Sequence, residues 1–131
     1  MSATIRFALA LIAAAALTGC ITSDDAGPPD GGDAVQPFPA NYRSEIPAFL
    51  RSYLNNPVGV RDAAMAEPVQ RQVAGKLRFV SCLRFTPQGG RPQELAIVHV
   101  NGRLDRVASA AAELCAGAVY APFPELEKLA R

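Results

Sequence analysis

The dipeptide Asn101-Gly102 is the strongest constraint on what this chain can fold into. A two-residue turn of type I′ needs positive φ at both central positions, which Asn and Gly tolerate and most residues do not. Strand-like runs flank the dipeptide, residues 93–100 (QELAIVHV) before it and 103–107 (RLDRV) after it. The two runs therefore fold back as an antiparallel hairpin, with His99 opposite Leu104 and Val98 opposite Asp105. Residues 76–85 (KLRFVSCLRF) read as a further strand, with Leu77, Phe79, Leu83 and Phe85 on one side and Arg78, Val80, Cys82 and Arg84 on the other. Residues 86–92 (TPQGGRP) are turn material between them. An edge strand is expected around residues 59–67, with Pro68 marking its end or a bulge.

Ahead of these strands lies a helix. Tyr42, Ile46, Phe49, Leu50, Tyr53 and Leu54 recur at helical spacing and form one apolar stripe. With Ser44 as N-cap, Pro47 falls in the first turn, where its missing N–H does no harm. With Asn41 as cap, Pro47 falls inside and should kink the helix. A regular helix from about Glu45 is expected, ended by Asn55-Asn56-Pro57. Residues 108–114 (ASAAAEL) read as a short helix or turn, and residues 122–129 (PFPELEKL) as a short helix with Pro124 at its first position. Consecutive strands with tight turns imply an antiparallel sheet whose apolar face needs a cover. The expected fold class is α+β: a two-layer sandwich of a small antiparallel sheet, about four strands, covered by the N-terminal helix.

The rest of the chain is not part of that fold. Arg6 precedes an unbroken apolar run at residues 7–17 (FALALIAAAAL), and small residues follow. This is the order of a secretion signal. The run is too short to span a bilayer, which takes ~20 residues. Leu17-Thr18-Gly19-Cys20 looks like a bacterial lipobox: a leucine, a small residue, glycine, then cysteine. The resemblance implies cleavage before Cys20, a diacylglyceryl thioether on its sulfur and a further acyl chain on its amine. Two or three chains hold a protein at a membrane far more firmly than one. Ile21 rather than Asp follows Cys20, which under the known sorting rule for such lipoproteins favours the outer membrane. The bland alternative is an ordinary signal peptide with a chance Cys.

Residues 21–40 carry four Asp, four Pro and three Gly. A segment so poor in apolar residues reads as a disordered tether. Asp24, Asp25, Asp30 and Asp33 match no calcium-loop spacing. The expected organisation is thus a signal peptide at 1–19, a lipidated Cys20 with its tether to residue 40, and one domain at 41–131. From residue 41 onward 12 Lys and Arg face 8 Asp and Glu, against four Asp in the tether. A basic domain on an acidic stalk favours anionic envelope polymers or lipid head groups, unless the cations are an ordinary solvated surface. With Cys20 assigned to lipid, Cys82 and Cys115 read as a disulfide in an oxidising compartment. The sharper alternative is a thiol enzyme with Cys82 as nucleophile and His99 as base.

Asn41-Tyr42…Phe49-Leu50…Tyr53-Leu54-Asn55…Pro57…Val60-Arg61-Asp62-Ala63, together with residues 115–126 (CAGAVYAPFPEL), resembles a group of small lipoproteins of Gram-negative bacteria that have no established activity. The resemblance spans most of the domain and transfers no functional residue. The helix-then-strands order is also loosely similar to the small lipoprotein of the outer-membrane β-barrel assembly machine, which opens with two helices where one is evident here. There is no Gly-rich phosphate loop, HExxH or GxSxG, and Gln88-Gly89-Gly90 is a turn. No catalytic residue, metal ligand or cofactor is therefore expected, nor any nucleic-acid partner.

The sequence favours a non-enzymatic envelope lipoprotein, attached to the membrane through Cys20 and binding a protein or anionic component. Arg78 and Arg84 on an exposed sheet face, His99, or the loop after Phe85 are its candidate contacts. A small periplasmic hydrolase or thiol enzyme, and a structural spacer or hydrolase inhibitor, are the alternatives.

Overall fold

Two left-handed two-residue turns build the sheet. Asn101 (φ 52°) and Gly102 (φ 78°) join Val100 to Arg103, and Ala74 (φ 50°) and Gly75 (φ 79°) join Val73 to Lys76. Asn and Gly adopt this backbone readily, whereas Ala74 carries a Cβ penalty there.

The computed structural model describes residues 35–129. The signal run, Cys20 and most of the expected tether lie outside the described residues. In chain order the elements are α1 (Tyr42–Tyr53), β1 (Arg61–Val73), β2 (Lys76–Thr86), β3 (Gln93–Val100), β4 (Arg103–Ala108), α2 (Ala111–Leu114), β5 (Ala121–Pro122) and α3 (Pro124–Glu127). The five strands form one antiparallel sheet in the order β4-β3-β2-β1-β5. The fold class is α+β. The fifth strand pairs at Ala64 and Met65 and was not foreseen, because two residues give no periodicity to read.

Three irregularities shape the sheet. Ala66 pairs with Cys82 and Val69 with Val80, so Glu67-Pro68 is a bulge and β1 continues past it to Val73. Pro68 has no N–H to give a ladder, and the bulge spares it from needing one. Asp62 (φ 55°) sits in a second irregularity, between Arg61 and Ala64. At the β3–β4 hairpin His99 pairs with Leu104, but Val98 pairs with Arg106. The expected Val98–Asp105 pair is corrected: Asp105 is the extra residue of a bulge.

Alternation along β2 and β3 separates two cores. Leu83, Phe85 and Ile97 join Met65, Tyr42, Ile46, Leu50, Phe123 and Leu126 in one buried cluster. Val80, Cys82, Ala96 and Val98 join Ala66, Val73, Leu114 and Cys115 in another. Helix α1 begins at Tyr42 with Asn41 before it, not at Glu45. Ser44 Oγ donates to the Asn41 carbonyl at 3.0 Å instead of capping. Pro47 therefore lies inside the helix, leaving the Arg43 carbonyl without the N–H four residues on.

The domain also begins earlier than the composition implied. Gln36 Oε1 accepts the Asn101 N–H at 2.8 Å, and Pro39 is fully buried. The Phe38 ring meets Phe79 and Tyr42 edge-on, with centroids 5.4 and 6.0 Å away. Two aromatic contacts and a satisfied turn amide hold residues 36–39 on the sheet despite their prolines.

Candidate functional site

The five sequence-predicted positions among the described residues, Arg78, Cys82, Arg84, His99 and Cys115, do not gather in one place. Cys82 and Cys115 form a disulfide, with Cα atoms 5.7 Å apart. It ties α2 to the face of the sheet that bears Val80 and Val98. His99 pairs with Phe79 on the opposite face, so Cys82 and His99 point away from each other. A Cys82–His99 dyad is thereby contradicted by strand alternation.

His99 is 1% exposed and shares a 2.8 Å hydrogen bond between Nε2 and Ser81 Oγ. Its Nδ1 is buried with no partner among the described residues. Burial pushes its pKa down, opposed by the nearby Glu45 carboxylate. The Ser81–His99 pair has the composition of a nucleophile and its base. Both side chains are sealed in, however, with Ser81 fully buried beside His99. The pair satisfies two polar groups in the core, and His99 is not a surface contact.

Arg78 is likewise not on an open surface. It is 4% exposed, and its Nη1 donates to the Leu77 carbonyl at 3.1 Å. The expected exposed face carrying Arg78 is corrected: Leu114, Cys115, Ala118 and Tyr120 pack over much of it.

Arg84 does reach the surface, inside a built polar cluster. Its Nε donates to Glu94 Oε2 at 2.8 Å, and the Tyr120 hydroxyl donates to the same oxygen at 2.8 Å. The Arg84 guanidinium carbon lies 4.0 Å from the centre of the Tyr120 ring. Hydrogen bonds from Tyr120 and then Arg84 hold the Glu94 carboxyl below its ordinary range. Burial and the Glu94 carboxylate push the Tyr120 phenol up to about 12. Arg84, Phe85 and Thr86 border a hollow of about 360 Å³ with Asp62, Pro92, Gln93 and Glu94. The cluster latches β2, β3 and the segment before β5 together.

The most ligand-like feature is a cleft that sequence reasoning missed. It measures about 400 Å³ and lies between β1 and the loop that follows α2. Val80, Cys82 and Leu114 line it deeply, with Val69, Val119 and Ala121 towards solvent. Val119 is 85% exposed and Val69 is 39% exposed. Glu67 and Arg71 place opposite charges in its wall. Apolar lining with a few polar groups is the ordinary make-up of a binding pocket. The alternation Val69, Arg71, Val73 was the one available signal.

Among the described residues no group of three or more His, Cys, Asp or Glu is placed to hold a metal ion. The four tether aspartates lie outside them. No helix among the described residues is long and apolar enough to cross a membrane. No family model matches the sequence, and no curated protein or solved structure matches it either.

Proposed function

We propose that this chain is a lipid-anchored, non-enzymatic binding module of the cell envelope, held at the outer membrane through Cys20 and facing the periplasm. Its domain works as a two-layer sandwich, with α1 closing one sheet face and the other face presenting the ligand site. The observation that carries the reading is the apolar cleft beside the Cys82–Cys115 disulfide, open to solvent at Val69 and Val119. Exposed apolar surface costs solubility unless a partner covers it. The lipobox-like Leu17-Thr18-Gly19-Cys20 and the disulfide both suit an oxidising compartment outside the cytoplasm. The partner is an envelope protein rather than a small metabolite, since the cleft continues onto a strand edge.

The test has two readings from one strain. Mass spectrometry of the purified protein should find Cys20 acylated at the mature N-terminus. A photo-crosslinking residue at Val119 should give a discrete adduct in intact cells, and one at exposed Gln88 should not. Identical products from both positions, or an unacylated chain still bearing Met1, would refute the proposal.

A further inference from the structure

The binding reading leaves open how a partner is held, and the edges of the sheet supply an answer. An unpaired strand edge is a template for another strand, and proteins commonly cover it. Here carboxylates do so at two places. Glu45 Oε2 accepts the Leu104 N–H of β4 at 2.8 Å, and Glu127 Oε1 accepts the Ala63 N–H of β1 at 3.0 Å. The Phe123 N–H then donates to the Ala63 carbonyl at 2.8 Å, and β5 covers Ala64 and Met65.

Past the Pro68 bulge this cover ends. Among the described residues no strand lies beside residues 69–73 on the side away from β2. Among the described residues the Arg71 guanidinium reaches that main chain, donating to the Gln70 carbonyl at 3.2 Å. The same stretch forms one wall of the cleft through Val69 and Arg71. Arg71 also stands directly opposite Arg78 across the β1–β2 ladder. No carboxylate among the described residues pairs with Arg71, so its guanidinium is open to one from a partner.

We propose that residues 69–73 of β1 accept an extended segment of a partner protein as an added strand. Main-chain hydrogen bonds would supply affinity, and alternate side chains would supply choice. One apolar side chain of the segment enters the cleft between Val69 and Val119. An acidic side chain of the segment meets Arg71. Val69 and Arg71 share one face of β1, so the apolar and acidic side chains of the segment stand two residues apart, on the same face. This rests on the binding reading above and goes further by naming the class of partner.

The probe is a fluorescein-labelled octapeptide with valine and glutamate taking turns at every second position and threonine between them, titrated by anisotropy against the purified full chain in nonionic detergent. Two controls are the same octapeptide with lysine in place of glutamate and the valine–glutamate peptide with its central amides N-methylated. The valine–glutamate peptide should bind at least about tenfold tighter than either control. Arg71→Glu should invert the preference between the glutamate and lysine peptides, and Val119→Glu should weaken both. Hydrogen exchange should slow at residues 69–73 in the complex. Equal binding of the N-methylated peptide would overturn strand addition, as would protection confined to another edge. So would failure of every peptide while the Val119 crosslink still forms; in that case the binding reading survives alone. Loss of the crosslink as well removes both.

Discussion

Removing the disulfide should cost this domain a large share of its stability. The perturbation is the double variant Cys82→Ala, Cys115→Ala, made in a mature chain that also carries Cys20→Ala so that no detergent is needed. The cysteines are 33 residues apart in sequence. Closing a loop of that length removes about 12.5 cal/mol/K of entropy from the unfolded chain, or about 3.7 kcal/mol at room temperature. Both cysteines are buried, and the lost sulfur atoms leave voids worth on the order of 1 kcal/mol more. A loss of about 4–5 kcal/mol is a third or more of the stability ordinary for a small domain. It corresponds to a fall in Tm of roughly 15–30 °C. Urea unfolding followed by circular dichroism measures it directly, and the m-value should rise because the uncrosslinked chain expands further. Hydrogen exchange should show the first local opening at α2, whose four residues bury one large side chain, Leu114. A loss below about 1 kcal/mol would refute the reasoning, since it would mean that sheet packing alone orders α2.

Three further outcomes follow from other residues. Burial holds the His99 pKa below its ordinary 6.5, so the unfolded chain takes the proton first; stability is complete above that value and declines as pH falls through it, and His99→Gln should flatten the decline in urea midpoints. The Tyr120 phenol should ionise near 12 in a spectrophotometric titration, and Glu94→Gln should bring that transition down by removing the adjacent negative charge; an unchanged transition would dissociate the two groups. Ala74 holds a left-handed backbone (φ 50°) at the β1–β2 turn, so Ala74→Asn should stabilise by about 0.5–1 kcal/mol in the same urea assay, and a loss would show that the turn is not strained.

Local chemistry made much of the sheet legible. Asn101-Gly102 announced its hairpin because two residues with positive φ are a chemical requirement, and the alternation of β2 placed Leu83 and Val80 on opposite cores as read. The β1–β2 hairpin escaped notice because Ala74-Gly75 half-conceals the same turn, and Pro68 cut the apparent strand short. Bulges add a residue without changing composition, so the Val98–Arg106 register had no signature. The binding candidates fared worse for a physical reason. Alternation says which face a side chain takes, but not what covers that face. Arg78 and His99 share this ambiguity, and tertiary cover buried both. The cleft depends on residues 65–71, 80–82 and 114–121 meeting, which is a property of three separated segments.

The two faces of the sheet are finished by different means, and this is why the apolar cleft beside the disulfide lies on the second of them. On the first face large side chains close the core: Ile46, Leu50, Phe85, Phe123 and Leu126 are fully buried, and Ser81 and His99 occupy each other. Burial of that kind is stabilising in proportion to the apolar area removed from water. On the second face the wall is Gly117, Ala118 and Ala121, residues with little area to bury. Such a wall has no strong reason to stay against the sheet on packing alone. The disulfide supplies the reason covalently, and the Arg84–Glu94–Tyr120 cluster secures the far end of the same segment. A wall held by a covalent bond does not need to fill the space behind it. Small residues under covalent restraint therefore leave a hollow that large residues under hydrophobic restraint would have closed. That hollow runs beside the stretch of β1 that neither β5 nor a glutamate covers, so the same economy of packing creates both the cleft and its open edge.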